Sequence, residues 1–202
     1  MKKKGVFICI EGLDGSGKTT HAHRLVRNLQ TIGFDAVYTT EPSRGEFGRF
    51  IRASVLQGKK RLPRVVEAFL FALDRVDHLE KMVEPALEAG KIVVSDRYVY
   101  SSLAYQGAAG LDLKWIEEIN RMARQPDLAI YIDVPPEVVV KRIRRKKSVM
   151  ERLETQRRVR EVYMKFVENR QLVPLDGDKR KGEVEQDILK MVLDFLQNHN
   201  SF

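Results

Sequence analysis

The sequence predicts an α/β fold in which a five-stranded parallel sheet is flanked by helices on both faces. Short apolar runs, typical of buried strands, alternate with longer segments of helical spacing. The strand-like runs cover residues 6–10, 36–40, 92–95, 128–133 and 172–175. The helix-like segments cover residues 18–30, 64–87, 113–122, 137–145, 151–169 and 183–197. This alternation is typical of βαβ units, whose crossover helices cover a parallel sheet.

Size and composition indicate one domain spanning residues 1–202. The chain has 202 residues, of which 43% are hydrophobic, and no apolar run is long enough to cross a bilayer. Glu11 interrupts the first apolar stretch, so we expect no signal-peptide core and a cytoplasmic protein without membrane contacts. Cys9, the only cysteine, lies in a strand-like run and is predicted to be a small buried hydrophobe.

The charge of the chain indicates a polyanionic partner. The formal net charge is +8, which suits either a nucleic acid or a small molecule carrying several phosphates. Six cations fall within residues 141–147. We therefore predict a short, basic and mobile lid over residues 141–158.

A phosphate-binding pattern, G-x-x-x-x-G-K-[ST], occupies residues 12–19 between the first strand and the first helix. Its glycines let successive backbone N–H groups converge on phosphate oxygens at a helix N-terminus. Lys18 is then expected to reach the β and γ phosphates of ATP, and Thr19 to bind Mg²⁺. The predicted ATP-binding residues are Gly12, Leu13, Asp14, Gly15, Ser16, Gly17, Lys18, Thr19 and Thr20.

This cradle is shared by GTPases, motor ATPases and small-molecule kinases, so other residues must indicate the reaction. No Asn-Lys-x-Asp guanine motif is present, and the third strand ends in Ser95-Asp96-Arg97-Tyr98 rather than in two adjacent carboxylates. These observations favour a kinase. About fifty residues separate the second and third strands, more than a crossover helix needs, and we expect the excess to form the acceptor site.

Several motifs along the chain resemble the thymidylate kinase family in the order that the family has them. They are residues 7–20, Thr40-Glu41-Pro42, Leu70-Phe71 with Asp74-Arg75, Asp96-Arg97-Tyr98, and residues 101–107. The resemblance covers nearly the whole chain. It implies a P-loop nucleoside monophosphate kinase architecture, ATP-dependent phosphorylation of dTMP to dTDP, a requirement for Mg²⁺, and a homodimer.

The resemblance also implies an acceptor site formed by Asp14, Glu41, Arg44, Phe71, Arg75, Arg97, Ser102, Tyr105 and Gln106. In it, Arg44 holds the acceptor phosphate, for which a guanidinium fork is well suited. Phe71 stacks on thymine and Arg75 donates to a base carbonyl, although the residues alone would favour a place for Phe71 in the hydrophobic core. Tyr105 and Gln106 contact the base from what we expect to be a glycine-containing loop.

By the same resemblance, Arg97 bridges the donor and acceptor phosphates and Asp96 orders Mg²⁺ through water. A cation at the transferring phosphoryl group stabilises the transition state more than the ground state. An internal ion pair between Asp96 and Arg97 is the alternative interpretation. For Asp14 two roles stay open, toward the acceptor sugar or toward the metal.

Members of the family carry an arginine inside the cradle or supply one from the lid. This chain has Gly15 and Ser16 at the cradle positions, so the lid-arginine variety is expected. The candidate catalytic arginines are Arg142, Arg144, Arg145 and, at the far side of the lid, Arg152. Which of them acts stays open, and a merely solvated charged helix face is the alternative.

Two other functions compete with this prediction. One is a kinase for another nucleoside monophosphate or for a deoxynucleoside. The other is a P-loop ATPase that binds nucleic acid through the basic segment. The sequence has no helix-turn-helix, zinc-binding or interleaved aromatic and basic motif, so we expect no nucleic-acid partner.

Overall fold

The computed structural model describes residues 5–57, 62–143 and 152–198. In these residues the strands form one five-stranded parallel sheet in the order β2-β3-β1-β4-β5, which confirms the predicted fold class. The strands are β1 (Val6–Gly12), β2 (Ala36–Thr40), β3 (Ile92–Asp96), β4 (Leu128–Asp133) and β5 (Val173–Asp176).

The helices are α1 (Lys18–Thr31), α2 (Glu46–Ile51), α3 (Arg64–His78), α4 (Glu84–Glu88), α5 (Val99–Ala108), α6 (Leu113–Ile119), α7 (Pro136–Arg142), α8 (Leu153–Glu168) and α9 (Lys181–Asn198). A π-helical turn at Arg52–Leu56 extends α2, and another at Leu79–Val83 joins α3 to α4. The predicted helix over 64–87 is therefore one continuous helical stretch with a π turn inside it. In the described part of the chain, no helix combines the length and apolar character needed to cross a membrane.

The helices cover both faces of the sheet. α1 packs against α9, whereas α5 packs against α8. From β1, in the middle of the sheet, the chain first moves to β2 at one edge. It then turns back, and β3, β4 and β5 follow in the direction of the opposite edge. Because βαβ crossovers are right-handed, α1 and α9 cover one face and α4, α5 and α8 cover the opposite face.

The central strands are buried along their whole length. All seven residues of β1 and all five of β3 are buried, as expected for strands covered by helices on both sides. The register pairs Ile10 with Asp96 and Thr40 with Asp96, so β1, β2 and β3 end at one edge of the sheet. The residues predicted to bind phosphate and acceptor follow these strand ends, which brings them to that edge.

Helix α5 corrects the prediction that Tyr105 and Gln106 lie on a loop. Both residues lie inside α5, whose core-facing side chains recur at helical spacing. Gly107 had suggested a loop, but it occupies the last turn of the helix. A Cβ atom there would lie 2.6 Å from a side-chain carbon of Leu113. This glycine therefore lies where α6 packs closely against α5, and not on a loop.

Candidate active site

The glycine-rich loop predicted to be the phosphate cradle lies between the end of β1 and the start of α1. Gly12, Gly15 and Gly17 have φ angles of +151°, +91° and +94°, which side-chain-bearing residues rarely adopt. A Cβ atom on Gly12 would lie 2.8 Å from the carbonyl oxygen of Ile132 on β4. The glycines therefore allow both the curl of the loop and its close approach to the sheet.

Lys18 is held inside the cradle by the loop itself. Its Nζ donates to the carbonyl oxygen of Leu13 at 2.6 Å, and the residue is only 5% exposed. Burial, helped by the nearby Arg97, lowers the pKa of Lys18 to about 8. Because this pKa is lower than in the unfolded chain, the stability linked to it is complete above the ordinary lysine pKa and is lost as pH falls through about 8. A phosphate oxygen bound in the cradle would offset the free-energy cost of burying the charged Lys18 side chain.

Thr19 and Asp96 meet at the edge of the sheet, which fits the predicted metal position. The Thr19 hydroxyl donates to Asp96 Oδ2. Asp96 Oδ1 is buried and has no hydrogen-bond partner among the described residues. No group of three or more acidic, His or Cys side chains that could cage a metal occurs in the described ranges. This donor set suits Mg²⁺, which commonly keeps several waters and binds through one or two carboxylates plus substrate phosphates.

Arg97 lies against the cradle in a constrained conformation. Its backbone φ is +72°, which is uncommon for a residue with a side chain. One guanidinium nitrogen pairs with the Asp14 carboxylate, and the other donates to Ser101 Oγ at 3.1 Å. The guanidinium also lies 5.2 Å from the centroid of the Tyr105 ring. The structure therefore brings Lys18, Asp96, Arg97 and Asp14 together around one point.

A cavity of about 840 Å³ adjoins the cradle. It is lined by Leu62, Pro63, Arg64, Glu67, Tyr105, Gln106, Ala108, Ala109, Gly110, Leu111, Thr155 and Arg158. Tyr105 links it to the phosphate site, since its hydroxyl accepts a hydrogen bond from the backbone N–H of Asp14 at 3.0 Å. Gln106 Oε1 is buried without a hydrogen-bond partner among the described residues. Volume and lining suit a nucleoside-sized ligand that offers a donor to Gln106.

Arg75 lies in a buried polar network and is not among the residues that line this cavity. The residue is 2% exposed, and its Nε and Nη2 donate to Glu41 Oε2 at 2.9 and 2.6 Å. The remaining contacts are with Ser102 Oγ, at 3.1 Å from Nη2, and with Asn120 Oδ1. His78 Nδ1 lies 3.3 Å from the other oxygen of Glu41. Glu41 thus orients Arg75, and four of the five guanidinium N–H groups have partners.

Phe71 and Arg44 are both accessible from the solvent side. Phe71 is half-buried and, within the described part of the chain, is not among the side chains that pack on the main core. Arg44 is exposed on the loop after β2. Asp74 fixes that loop by accepting from the backbone N and the hydroxyl of Ser43, both at 2.6 Å. Neither Phe71 nor Arg44 lines the cavity.

The lid is described only at its two ends. Arg142, the last residue of α7, donates to Asp178 Oδ1 at 2.9 Å on the surface. Arg144 and Arg145 lie outside the described residues, and Arg152 immediately precedes α8. A Cβ atom on Gly15 would lie 2.9 Å from the Val139 carbonyl oxygen and 3.3 Å from an Ile143 carbon. The chain therefore leaves α7 directly beside the cradle.

Comparison with known proteins identifies the family to which this site belongs. A family model described as thymidylate kinase matches residues 10–188. The chain belongs to the thymidylate kinase family. The match includes the cradle, the loop after β2, the Asp96-Arg97 pair and helices α3, α5 and α8.

Curated relatives of this thymidylate kinase family member carry the name probable thymidylate kinase. The protein of Pyrococcus abyssi (strain GE5 / Orsay) is 43% identical over 197 residues, covering 94% of this chain and 96% of its own. The Thermococcus onnurineus protein is 47% identical over 173 residues, covering 81% of this chain and 84% of its own. The Pyrobaculum calidifontis protein is 39% identical over 189 residues, covering 93% of this chain and 95% of its own.

Sequence reasoning assigned no role to Glu11, His78 and Asn120, which the structure places in the polar networks of this thymidylate kinase family site. Glu11 did give a signal, because a carboxylate inside an otherwise apolar strand needs partners. His78 lies three residues after Arg75 and so shares its helix face. Asn120 gave no signal, because it follows a different helix, α6.

Proposed function

We propose that this enzyme transfers the γ-phosphoryl group of ATP to dTMP and forms dTDP. The observation that carries the proposal is the cavity joined to the phosphate cradle through the Tyr105 hydroxyl, with Gln106, whose buried amide oxygen is unpaired among the described residues, in its lining. Thymine presents an N3–H donor between two carbonyl acceptors, which matches an amide that accepts and donates. Cytosine presents an acceptor at N3, so the Gln106 amide would have to donate rather than accept at that position of the base.

The phosphates of the two substrates would meet at the cradle. Lys18 would exchange its contact with the Leu13 carbonyl for donor phosphate oxygens. Arg44 would bind the acceptor phosphate, and Arg97 would contact the phosphoryl group during transfer. The Asp14 carboxylate lies close enough to pair with Arg97, so it would hold that guanidinium or turn to the acceptor sugar or the metal.

Thr19 and Asp96 are the residues that would hold Mg²⁺, the former directly and the latter through water. When bound, the metal neutralises charge between the terminal phosphates. Closure of the lid would bring arginines over the γ phosphate and exclude water as a competing acceptor. The position of the end of α7 beside Gly15 supports that arrangement.

An acceptor screen tests the proposed reaction. With magnesium ATP, we expect phosphorylation of dTMP to exceed that of dUMP, dCMP, dGMP and AMP in a coupled assay. Gln106→Leu should lower kcat/KM for dTMP about tenfold to a hundredfold, because a base donor or acceptor loses its partner. The same substitution at the exposed Gln171 is the matched control and should change nothing. Reaction with AMP or dGMP but not dTMP would contradict the proposal.

We also propose that the enzyme is a homodimer that pairs through α3. Val65, Val66, Phe69 and Leu73 on this helix are each 43–51% exposed, and their spacing places them along one apolar strip. Light scattering during size-exclusion chromatography should give a dimer for the wild type and a monomer for Phe69→Glu. Ile32→Glu, an equally exposed apolar residue at the end of α1, should leave the dimer intact. A wild-type monomer would contradict this proposal.

A further inference from the structure

Glu11 is a fully buried carboxylate to which the proposed reaction assigns no task. It precedes Gly12, the first glycine of the cradle, and its exposed fraction is 0%. Burial raises the pKa of this carboxyl, and hydrogen bonds only partly offset the effect. A buried acid placed next to a phosphate site costs stability, so the contacts that it makes need an explanation.

Among the described residues, the side-chain hydrogen bonds of Glu11 lead to the segment that carries Arg97 and to α8, the helix after the lid. Oε1 accepts from the backbone N–H groups of Tyr98 and Ser101, at 2.8 and 3.2 Å. Oε2 accepts from the hydroxyls of Ser101 and Tyr163, at 2.6 and 2.8 Å. Tyr163 lies on α8, so one carboxylate joins β1, the start of α5 and α8.

Ser101 connects Glu11 to Arg97 through hydrogen bonds. Its hydroxyl donates to Glu11 and accepts from Arg97 Nη1 at 3.1 Å. Since the hydroxyl hydrogen is committed to the carboxylate, the oxygen lone pairs face the guanidinium. Arg97 departs from the usual backbone conformation, and its other terminal nitrogen pairs with Asp14, which the proposed mechanism lets move. Ser101 is therefore the hydrogen-bond partner that keeps Arg97 in place when Asp14 moves.

We propose that Glu11 and Ser101 are positioning residues for Arg97, which they hold in the orientation needed at the transferring phosphoryl group. This inference rests on the proposed function, in which Arg97 contacts that group. The carboxylate fixes the Ser101 hydroxyl, and the hydroxyl fixes the guanidinium. A preorganised cation does not have to be reoriented during the reaction, which is where electrostatic catalysis gains most.

A double-mutant cycle on kcat tests the inference. Ser101→Ala should lower kcat about tenfold with little change in the KM of dTMP or ATP, because the lost contact serves the transition state. Arg97→Ala should lower kcat at least a hundredfold. The double variant should have a kcat less than twofold below that of Arg97→Ala alone, since Ser101 acts through Arg97. Ser101→Thr, which keeps the hydroxyl, should restore most of the turnover.

Glu11→Gln is the second variant, and it keeps the shape of the side chain. Its amide would donate to the Ser101 hydroxyl in competition with Arg97, so kcat should fall in the wild-type background and barely change in Arg97→Ala. Tyr100→Phe, at a buried tyrosine whose ring packs on Phe166, is the control and should keep wild-type turnover. Losses that multiply in the double variants, or normal turnover in both Ser101→Ala and Glu11→Gln, would overturn the inference while leaving the proposed function standing. A wild type that leaves dTMP unphosphorylated would overturn both.

Discussion

Lys18→Ala should lower kcat for dTMP phosphorylation by at least two orders of magnitude, about 3 kcal/mol of transition-state stabilisation. In the proposed reaction, the buried ammonium group is the cation that the cradle supplies to the terminal phosphates of ATP. In the structure it donates to the Leu13 carbonyl, so it is already directed into the loop. Steady-state turnover at pH 7 is the measurement, because Lys18, with a pKa of about 8, is then protonated.

The fold of Lys18→Ala should be intact. The variant removes a buried cation whose lowered pKa records a cost of burial, so its thermal midpoint should equal or exceed that of the wild type. Lys165→Ala, an exposed lysine on α8, is the matched control and should keep normal turnover. A folded Lys18→Ala protein with near-normal kcat would contradict the cradle assignment.

Alanine substitutions at the lid arginines should give one dominant loss of kcat, on the order of a hundredfold or more. We expect it at Arg144 or Arg145, because the chain leaves α7 beside Gly15 and no arginine replaces Gly15 or Ser16 inside the cradle. Because Arg142 pairs with Asp178 at the surface, Arg142→Ala should lower kcat much less. Since Arg44, Phe71 and Arg75 are the proposed acceptor-binding residues, the KM for dTMP should change little in all three variants.

Two comparisons separate a catalytic lid arginine from a solvated charge. Replacing the dominant arginine with lysine should recover only part of the turnover, because lysine lacks the planar fork that binds two phosphate oxygens. Glu154→Ala, on the first turn of α8, controls for changes of charge near the lid. Near-wild-type kcat in all three arginine variants would leave Lys18, Arg97 and Mg²⁺ as the catalytic charges.

The strands, the cradle and the strand-end residues were readable from the sequence because their signals are local. The glycines at positions 12, 15 and 17 gave the loop, and the runs of apolar residues gave the strands within two residues of their observed ends. Helix α5 was missed because Gly107 resembles a loop signal. The close approach of Gly107 to Leu113 depends on how α6 packs against α5, which no local pattern predicts.

The sequence by itself therefore determined the fold class, the family and the identity of the residues that follow each strand. Only the tertiary structure decided which polar groups hold one another. Glu11 contacts Ser101 and Tyr163, which lie 90 and 152 residues away along the chain, and Arg75 contacts Glu41, which lies 34 residues away. Such partners are set by strand order and helix packing rather than by any local pattern. A carboxylate within an apolar strand indicates that it has hydrogen-bond partners. Only the packing of the folded chain decides which residues those partners are.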